Sequence, residues 1–200
     1  MVAYTLSRRD FVLRKPFQLL FVITMYVSGG MIPEYLLIIR TLKLGNNFMV
    51  YILPGLMWVY NMILVRSYID GLPMALQEAA KLDGANDFQI WYKVVMPLCK
   101  PVIATVGLYY AVGQWNSYFN ALIYIRSESL QPLQIVLRSI LVGNQTMSAM
   151  STGAAAVEAK QMADLIKYAI IVVSSAPIMC MYPLVQKYFN QGVMLGSLKG

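Results

Sequence analysis

The sequence predicts an all-α protein that crosses a membrane several times, and three observations lead to this fold class. Hydrophobic residues make up 58% of the chain and charged residues only 12%, far from the balance of a soluble domain with a charged surface. Several apolar stretches approach the ~20 residues needed to cross ~30 Å of hydrocarbon. Most of the basic residues fall between these stretches, as they do in membrane proteins with short connecting loops.

Four stretches are predicted to be full spans: residues 17–32, 46–65, 101–125 and 165–186. The first three carry no charge, and Lys167 lies near one end of the fourth, where its side chain can reach the interface. Ser28, Gly29, Gly30 and Pro33 mark a loosened end of the first span, so residues 33–42 are predicted to form an interfacial helix. We predict a single transmembrane domain, residues 1–200, with a cytoplasmic loop at residues 70–100.

The basic residues orient these spans. Segments 7–16 and 66–100 and the C-terminal tail hold ten of the sixteen Lys and Arg residues, so the positive-inside rule places these segments in the cytoplasm. Because the cations are scattered among loops rather than clustered on one face, the net charge of +7 does not indicate a nucleic-acid partner.

The composition argues against several kinds of chemistry. The chain has no histidine, its two cysteines, Cys99 and Cys180, lie at or inside predicted membrane segments, and no GxxxxGK[ST] phosphate loop is found. Neither a metal site nor a disulfide framework nor this device for binding ATP is predicted.

The residues of the loop at 70–100 predict its secondary structure. Pro73 suits the first turn of a helix, residues 74–82 are mostly strong helix formers, and Asp83-Gly84 supplies a stop at which Gly84 can take a positive φ. The prediction is a short helix, a turn and a second helix. Its apolar side comprises Leu72, Leu76, Ala79, Ala80 and Leu82, while Gln77, Glu78, Lys81 and Asp83 give it charge at its end.

The same loop resembles the EAA loop of binding-protein-dependent ABC importer permeases. That family's pattern is EAA, three residues, G, nine residues and I-x-L-P, and here Glu78-Ala79-Ala80, Gly84 and Val94-Val95-Met96-Pro97 follow it with two conservative changes. Motifs elsewhere resemble the carbohydrate-uptake branch and its complex-sugar subgroup: Asp83-Gly84-Ala85, Trp115-Asn116, Ser28-Gly29-Gly30, Pro132-Leu133-Gln134 and the tail from Gly192 to Gly200.

The resemblance implies the type I permease fold of these importers and a sugar or oligosaccharide as the substrate. The loop is then a coupling helix docked on a cytoplasmic ATPase dimer, and the expected coupling residues are Glu78, Ala79, Ala80, Asp83, Gly84 and Pro97. The other expected partners are a homologous second permease, an extracellular solute-binding protein and the lipid bilayer of the plasma membrane. The chain itself needs no cofactor, because the partner binds ATP. The alternative is an amphipathic loop on the membrane surface.

A polar, aromatic cluster in the third predicted span is the candidate substrate pathway. Amide and aromatic side chains suit the hydroxyls and C–H faces of sugars, and polar residues inside a span usually face a cavity or the bundle interior. An aromatic belt with hydrogen bonds between helices is the alternative. The candidates are Tyr110, Gln114, Trp115, Asn116 and Asn120.

Two other functions compete with transport driven by a partner ATPase. A membrane enzyme acting on lipid-linked sugars needs paired carboxylates or a metal cluster, but the chain has only nine acidic residues. An ion-coupled secondary carrier is expected to place a charge at mid-span, and none is clear. Neither alternative gives the EAA-like loop a role.

The N terminus resembles the end of an earlier span. Residues 1–6 form an apolar stub that stops at Arg8-Arg9 and is too short to cross a membrane. Ala3-Tyr4-x-Leu6-Ser7-Arg8 resembles the end of the second span of the family, whose permeases usually have six. We therefore expect about two further spans of ~20 residues each before Met1.

Overall fold

A computed structural model describes residues 1–150 and 154–197, and regular structure in these ranges is helical. Short π-helical turns occupy Leu37–Thr41 and Ile90–Val95, and single 3₁₀ turns occupy Phe48–Tyr51 and Glu128–Leu130. The α-helices are α1 Val2–Ser7, α2 Arg14–Tyr26, α3 Met31–Leu36, α4 Val59–Asp70, α5 Met74–Leu82, α6 Asp87–Gln89, α7 Met96–Leu98, α8 Lys100–Trp115, α9 Phe119–Tyr124, α10 Leu133–Met150 and α11 Ala154–Ser197.

The chain divides into two compact units. Unit 1 comprises Met1–Glu34, Gly55–Tyr110 and the described chain from Val185 on. Its core joins α1 and α4 to the helical stretch that follows α5, and Ala80 of α5 packs against this core. The buried core residues of unit 1 are Ala3, Tyr4, Ile69, Ile90, Val95, Cys99 and Val102.

Unit 2 comprises Tyr35–Pro54 and Ala111–Leu184. Its buried cluster brings the segment after α3 against the end of α9, where the Asn46 backbone N–H donates to the Tyr124 carbonyl at 2.8 Å. The buried residues are Ile38, Leu44, Val50, Tyr124 and Ile125.

One uninterrupted helix among the described residues is long and apolar enough to cross a membrane: residues Ala156–Pro183 within α11. The predicted fourth span, residues 165–186, lies inside α11 and is continuous as expected. The C-terminal motif at residues 192–200 extends beyond the described residues.

The first predicted span is bent and the third is broken. Arg14–Tyr26 and Met31–Thr41 together are long enough to cross but meet at 108°. A second bent pair, Asp87–Leu98 and Lys100–Trp115 at 78°, joins the end of the predicted cytoplasmic loop to the start of the third predicted span. The first bend confirms the loosened helix predicted at Gly29-Gly30, since Gly30 adopts φ +87°. In the third predicted span α8 ends at Trp115, and residues 116–118 separate it from α9.

The second predicted span, residues 46–65, is not one helix. The 3₁₀ turn ends at Tyr51 and α4 begins only at Val59. Pro54-Gly55 lies in the gap, and a proline without an N–H followed by a flexible glycine disfavours a continuous helix. The described residues therefore offer one span, or up to three if each bent pair crosses, rather than the four predicted.

The loop at residues 70–100 folds as predicted. α5 covers Met74–Leu82, Asp83 caps it and Gly84 adopts φ +79°. Pro73 differs slightly from expectation, since its ψ of 123° places it just before the first turn. The second helix opens with a capping box between Asn86 and Gln89, which satisfies two backbone N–H groups at its start.

Gly84 offers a test of this turn, with Gly107 in α8 as the matched control. A Cβ at either position meets nothing within 4 Å, and only Gly84 has a positive φ. We expect Gly84→Ala to lower the free energy of unfolding by about 1 kcal/mol, whereas Gly107→Ala is neutral or stabilising by up to about 1 kcal/mol. Thermal unfolding of the detergent-solubilised permease, without partner subunits, measures both. Equal effects of the two substitutions would contradict the assigned turn.

Candidate functional site

The outer face of α5 is exposed where the expected coupling residues lie. Glu78, Ala79 and Asp83 are exposed, and Leu82 is 89% exposed although it is a large apolar residue. An exposed leucine close to a small alanine side chain forms an apolar surface that a protein partner can cover. Pro97 is also exposed, in α7.

The inner face of α5 holds the helix on unit 1. Ala80 and Leu72 pack against the buried cluster of α1, α4 and the following helix, so the predicted apolar side divides into an inner and an outer part. Gln77 of α5 is buried, at 8% exposed, and lines the same cavity as Ser7 of α1 and Ile69 of α4.

Arg8, in the link between α1 and α2, is held by several partners. Its guanidinium donates to both carboxylate oxygens of Asp10, at 3.0 and 2.7 Å, and to the Tyr4 hydroxyl at 3.0 Å. It also forms an ion pair with Asp87 at 3.1 Å. The Arg8 side chain is only 13% exposed. The Arg8 hydrogen bonds lower the pKa of Asp10 to about 2, so this carboxyl is charged at any physiological pH.

A second ionic group lies at the start of the loop. Asp70 is 3.9 Å from Arg14 of α2 and 3.5 Å from Arg66, one turn earlier in α4. Between the two groups is an open cavity of about 470 Å³. Its lining mixes both signs of charge: Ser7, Arg8, Arg9, Asp10, Arg14, Ile69, Asp70, Leu72, Met74, Gln77, Glu78 and Lys81.

The pathway candidates differ in their surroundings. The Tyr110 hydroxyl accepts from the Trp58 backbone N–H at 2.9 Å and donates to the Leu56 carbonyl at 3.4 Å. The ring centroids of Tyr110 and Trp58 are 5.1 Å apart. Tyr110 therefore fastens the turn that precedes α4 within unit 1.

The other candidates lie in unit 2. The Gln114 amide donates to the Tyr51 carbonyl, and the Trp115 indole N–H donates to the Ser174 carbonyl at 2.8 Å. Trp115 thus has a packing role against α11. Asn116 is exposed and Asn120 is half-buried, so these two amides are the more accessible members of the set.

A cavity of about 490 Å³ in unit 2 includes Gln114 in its wall. Its size falls within the range of small-molecule sites. Aromatic rings, amides and hydroxyls contribute to it, the residue types expected around a sugar. They are Phe48, Tyr51, Ile52, Gln114, Ser117, Ser129, Leu130, Gln131 and Pro132.

Asn46 is a structural residue that the sequence analysis missed. Its φ is +54°, and its side-chain oxygen accepts from the backbone N–H groups of Arg126 and Ser127 at 3.0 and 2.9 Å. Its amide N–H donates to the Ser127 hydroxyl at 2.8 Å. The Asn46-Asn47 pair after Gly45 was the available signal, because Asn tolerates the left-handed conformation better than other non-glycine residues.

The bent helix pairs and the apolar α11 are features of a multi-pass membrane protein, and α5 presents an exposed face on a packed unit. Comparison with known proteins specifies the class. Residues 1–195 match the family described as "Binding-protein-dependent transport system inner membrane component". The chain belongs to this family, whose members are transport components of the inner membrane.

Three relatives are informative. The polygalacturonan/rhamnogalacturonan transport system permease protein YtcP of Bacillus subtilis is 41% identical over 100% of this chain and 69% of its own length. The arabinooligosaccharides transport system permease protein AraQ of Halalkalibacterium halodurans is 29% identical over 100% and 66%. A crystal structure of a bacterial ABC transporter that imports the acidic polysaccharide alginate gives a TM-score of 0.78 at 36% identity, covering 94% of this chain and 66% of that one.

This chain thus spans about two thirds of the length of these relatives. The resemblance inferred from the EAA-like loop is confirmed by the family match over nearly the whole chain.

Substitution of Asn46 tests its hydrogen bonds separately from its backbone conformation. We expect Asn46→Gly, which keeps the positive φ, to lose about 2 kcal/mol of unfolding free energy with the three bonds. Asn46→Ala should lose about 1 kcal/mol more from strain. Lys43→Gly is the control, because Lys43 has φ +52° and none of the hydrogen bonds described above. Thermal unfolding measures all three, and a loss in the control equal to that of Asn46→Gly would refute the role of the side chain.

Proposed function

We propose that this chain is a permease subunit of an ATP-driven importer of sugars or oligosaccharides. The observation that carries the proposal is the exposed outer face of α5, with Glu78 and Ala79 presented to solvent on a helix whose inner face is packed. Its partners are a cytoplasmic ATPase dimer, a homologous second permease and an extracellular solute-binding protein. The family description, a component of a binding-protein-dependent transport system, supports the last of these.

Acidic oligosaccharides are the favoured substrate class. One relative is named for polygalacturonan and rhamnogalacturonan transport and a second belongs to a transporter of alginate, which its description calls acidic. The chain also places the Arg138 guanidinium 5.0 Å from the ring centroid of Tyr118. A cation beside an aromatic ring suits the carboxylate and the C–H face of an acidic sugar.

The proposed mechanism is mechanical. ATP binding closes the ATPase dimer, the groove that holds α5 moves, and the packed inner face of α5 passes the displacement to α4 and to the helical stretch after Gly84. This transfer needs a stiff element. α5 meets the requirement because it is capped at Asp83, and because Ala80 within it and Leu72 just before it pack against the buried cluster of unit 1.

The pathway proposal is narrower than the original candidate set. Asn116 and Asn120, with the Gln114 cavity, are the positions that we assign to sugar contact. Trp115 and Tyr110 have their polar groups engaged with backbone, so we assign them to shaping the surrounding structure. The Gln114 amide is also engaged with backbone, so Gln114 contributes through the cavity whose wall it forms.

A charge reversal on α5 and a bulky substitution in the turn that follows it test docking. We expect Glu78→Lys and Gly84→Trp to reduce uptake at least about tenfold and to release the ATPase, because each alters the face that the partner covers. The readouts are co-purification of the ATPase and uptake of oligogalacturonides, with neutral arabino-oligosaccharides for comparison. Glu128→Lys, an exposed reversal outside the loop, is the control. Unchanged co-purification and uptake in the α5 variants would make the docking assignment wrong.

Thiol labelling tests the pathway. Cys180 is exposed and is replaced by serine, whereas Cys99 is buried and stays. We expect Asn116→Cys to react with a water-soluble thiol reagent at a rate that changes several-fold when ATP is bound, because access to the pathway alternates. Thr105→Cys, at a position 9% exposed, is the inert control, and Trp115→Cys should react more slowly than Asn116→Cys. If Asn116→Cys is inert in every nucleotide state, the cluster serves packing alone.

A further inference from the structure

The link between α1 and α2 contacts the coupling loop on both sides of the turn that ends α5. Arg8 pairs with Asp87, the first residue of α6, and Asp10 lies 3.8 Å from Lys81 in the last turn of α5. Arg8 and Asp10 are themselves joined at 2.7 Å. We call these four residues, Arg8, Asp10, Lys81 and Asp87, the anchor network. Together they bracket the turn that contains Gly84.

Arg8 is the rigid centre of the anchor network. Its planar guanidinium engages both oxygens of Asp10, a geometry that fixes orientation as well as distance. The side chain is 13% exposed, whereas those of Asp10 and Asp87 are 63% and 71% exposed. Because the arginine side chain is largely withdrawn from water, salt screens its ionic interactions less than those of a fully exposed ion pair.

Below the guanidinium, Tyr4 ties Arg8 to the core of unit 1. The Tyr4 hydroxyl accepts a hydrogen bond from the Arg8 guanidinium at 3.0 Å, and the centroid of the Tyr4 ring lies 5.8 Å from the guanidinium carbon. Tyr4 is 5% exposed and belongs to the same buried cluster as Ile69 of α4 and Ile90 after α6. A continuous chain of contacts therefore runs from the end of α5 through Arg8 into the packed helices.

We propose that Arg8 is a positioning residue that couples the movement of α5 to the membrane helices. Displacement of α5 must either carry the α1–α2 link with it or break the anchor network, because Lys81 and Asp87 are held on opposite sides of the turn. This inference rests on the proposed docking of an ATPase on α5. In this role Arg8 does not contact substrate. It holds α5 and the α1–α2 link together, so that a displacement of α5 is transmitted to the packed helices of unit 1.

The test uses the complete transporter, with both permeases, the ATPases and the binding protein, in proteoliposomes. The probe is a mixture of oligogalacturonides and arabino-oligosaccharides. Three quantities are measured: ATPase retained on purification, ATP hydrolysed, and sugar imported per ATP. The variants are Arg8→Gln, Asp87→Asn and their combination, with Arg9→Gln as the control, because Arg9 is adjacent and forms no ion pair among the described residues.

The expected result is a specific loss of coupling. Arg8→Gln should retain the ATPase and its hydrolysis but import about tenfold less sugar per ATP, while Arg9→Gln matches the unaltered protein. Asp87→Asn should give a smaller loss, and the combination should be no worse than Arg8→Gln alone, because both changes remove the same contact. A purely structural role would lower hydrolysis and import in parallel and leave their ratio unchanged.

Several outcomes would overturn the inference. An unchanged ratio in Arg8→Gln refutes it, as does a loss of equal size in Arg9→Gln or full additivity with Asp87→Asn. If Arg8→Gln fails to fold, Asp87→Asn decides alone, since its exposed carboxylate tolerates an isosteric amide, and a normal ratio there refutes the inference. Failure of the proposed function is recognised separately, because the unaltered permease then retains no ATPase.

Discussion

The burial of α1 against α4 and the helical stretch after α5 is the interaction on which unit 1 depends. Ile90 is fully buried, and Tyr4 and Ile69 are each 5% exposed, so three segments far apart in sequence share one core. Replacing Ile90 with alanine would create a cavity where the three segments meet, a change that lowers the free energy of unfolding by roughly 2–5 kcal/mol. Both faces of α5, the inner one that packs and the outer one that is exposed, have their positions because this core exists.

The sequence predicted best where the signal was local. The helix-forming residues and the Asp83-Gly84 stop are signals that act within one or two helical turns. The structure has the helix α5 and the positive φ at Gly84 that these signals predicted. Hydropathy predicted less well. Residues 46–65 are apolar throughout, but hydropathy does not register that Pro54-Gly55 interrupts the backbone hydrogen bonds needed for one helix, and the outcome was a 3₁₀ turn and a later helix.

Long-range polar contacts lay beyond the sequence reasoning. Arg8 and Asp87 lie in different segments of unit 1, far apart in sequence, and each by itself resembles an ordinary charged residue of a loop. Gln77 shows the same limit at short range, because it is only 8% exposed and helical periodicity alone gave no sign of that burial. Contacts of this kind depend on how helices meet, which a single sequence does not specify.

The exposed apolar residues around α5 also bear on how long the protein survives before it finds its partners. Leu82 is 89% exposed, Phe88 57% and Tyr92 62%, and all three lie in the loop that the positive-inside rule predicts to be cytoplasmic. Surface of this kind in water is what chaperones and proteases recognise. If the proposed ATPase docks on α5, an unassembled subunit would leave this surface open to proteolysis, and binding of the partner would cover it. Subunit stoichiometry in the membrane would then be corrected after synthesis, by selective survival of the assembled copies.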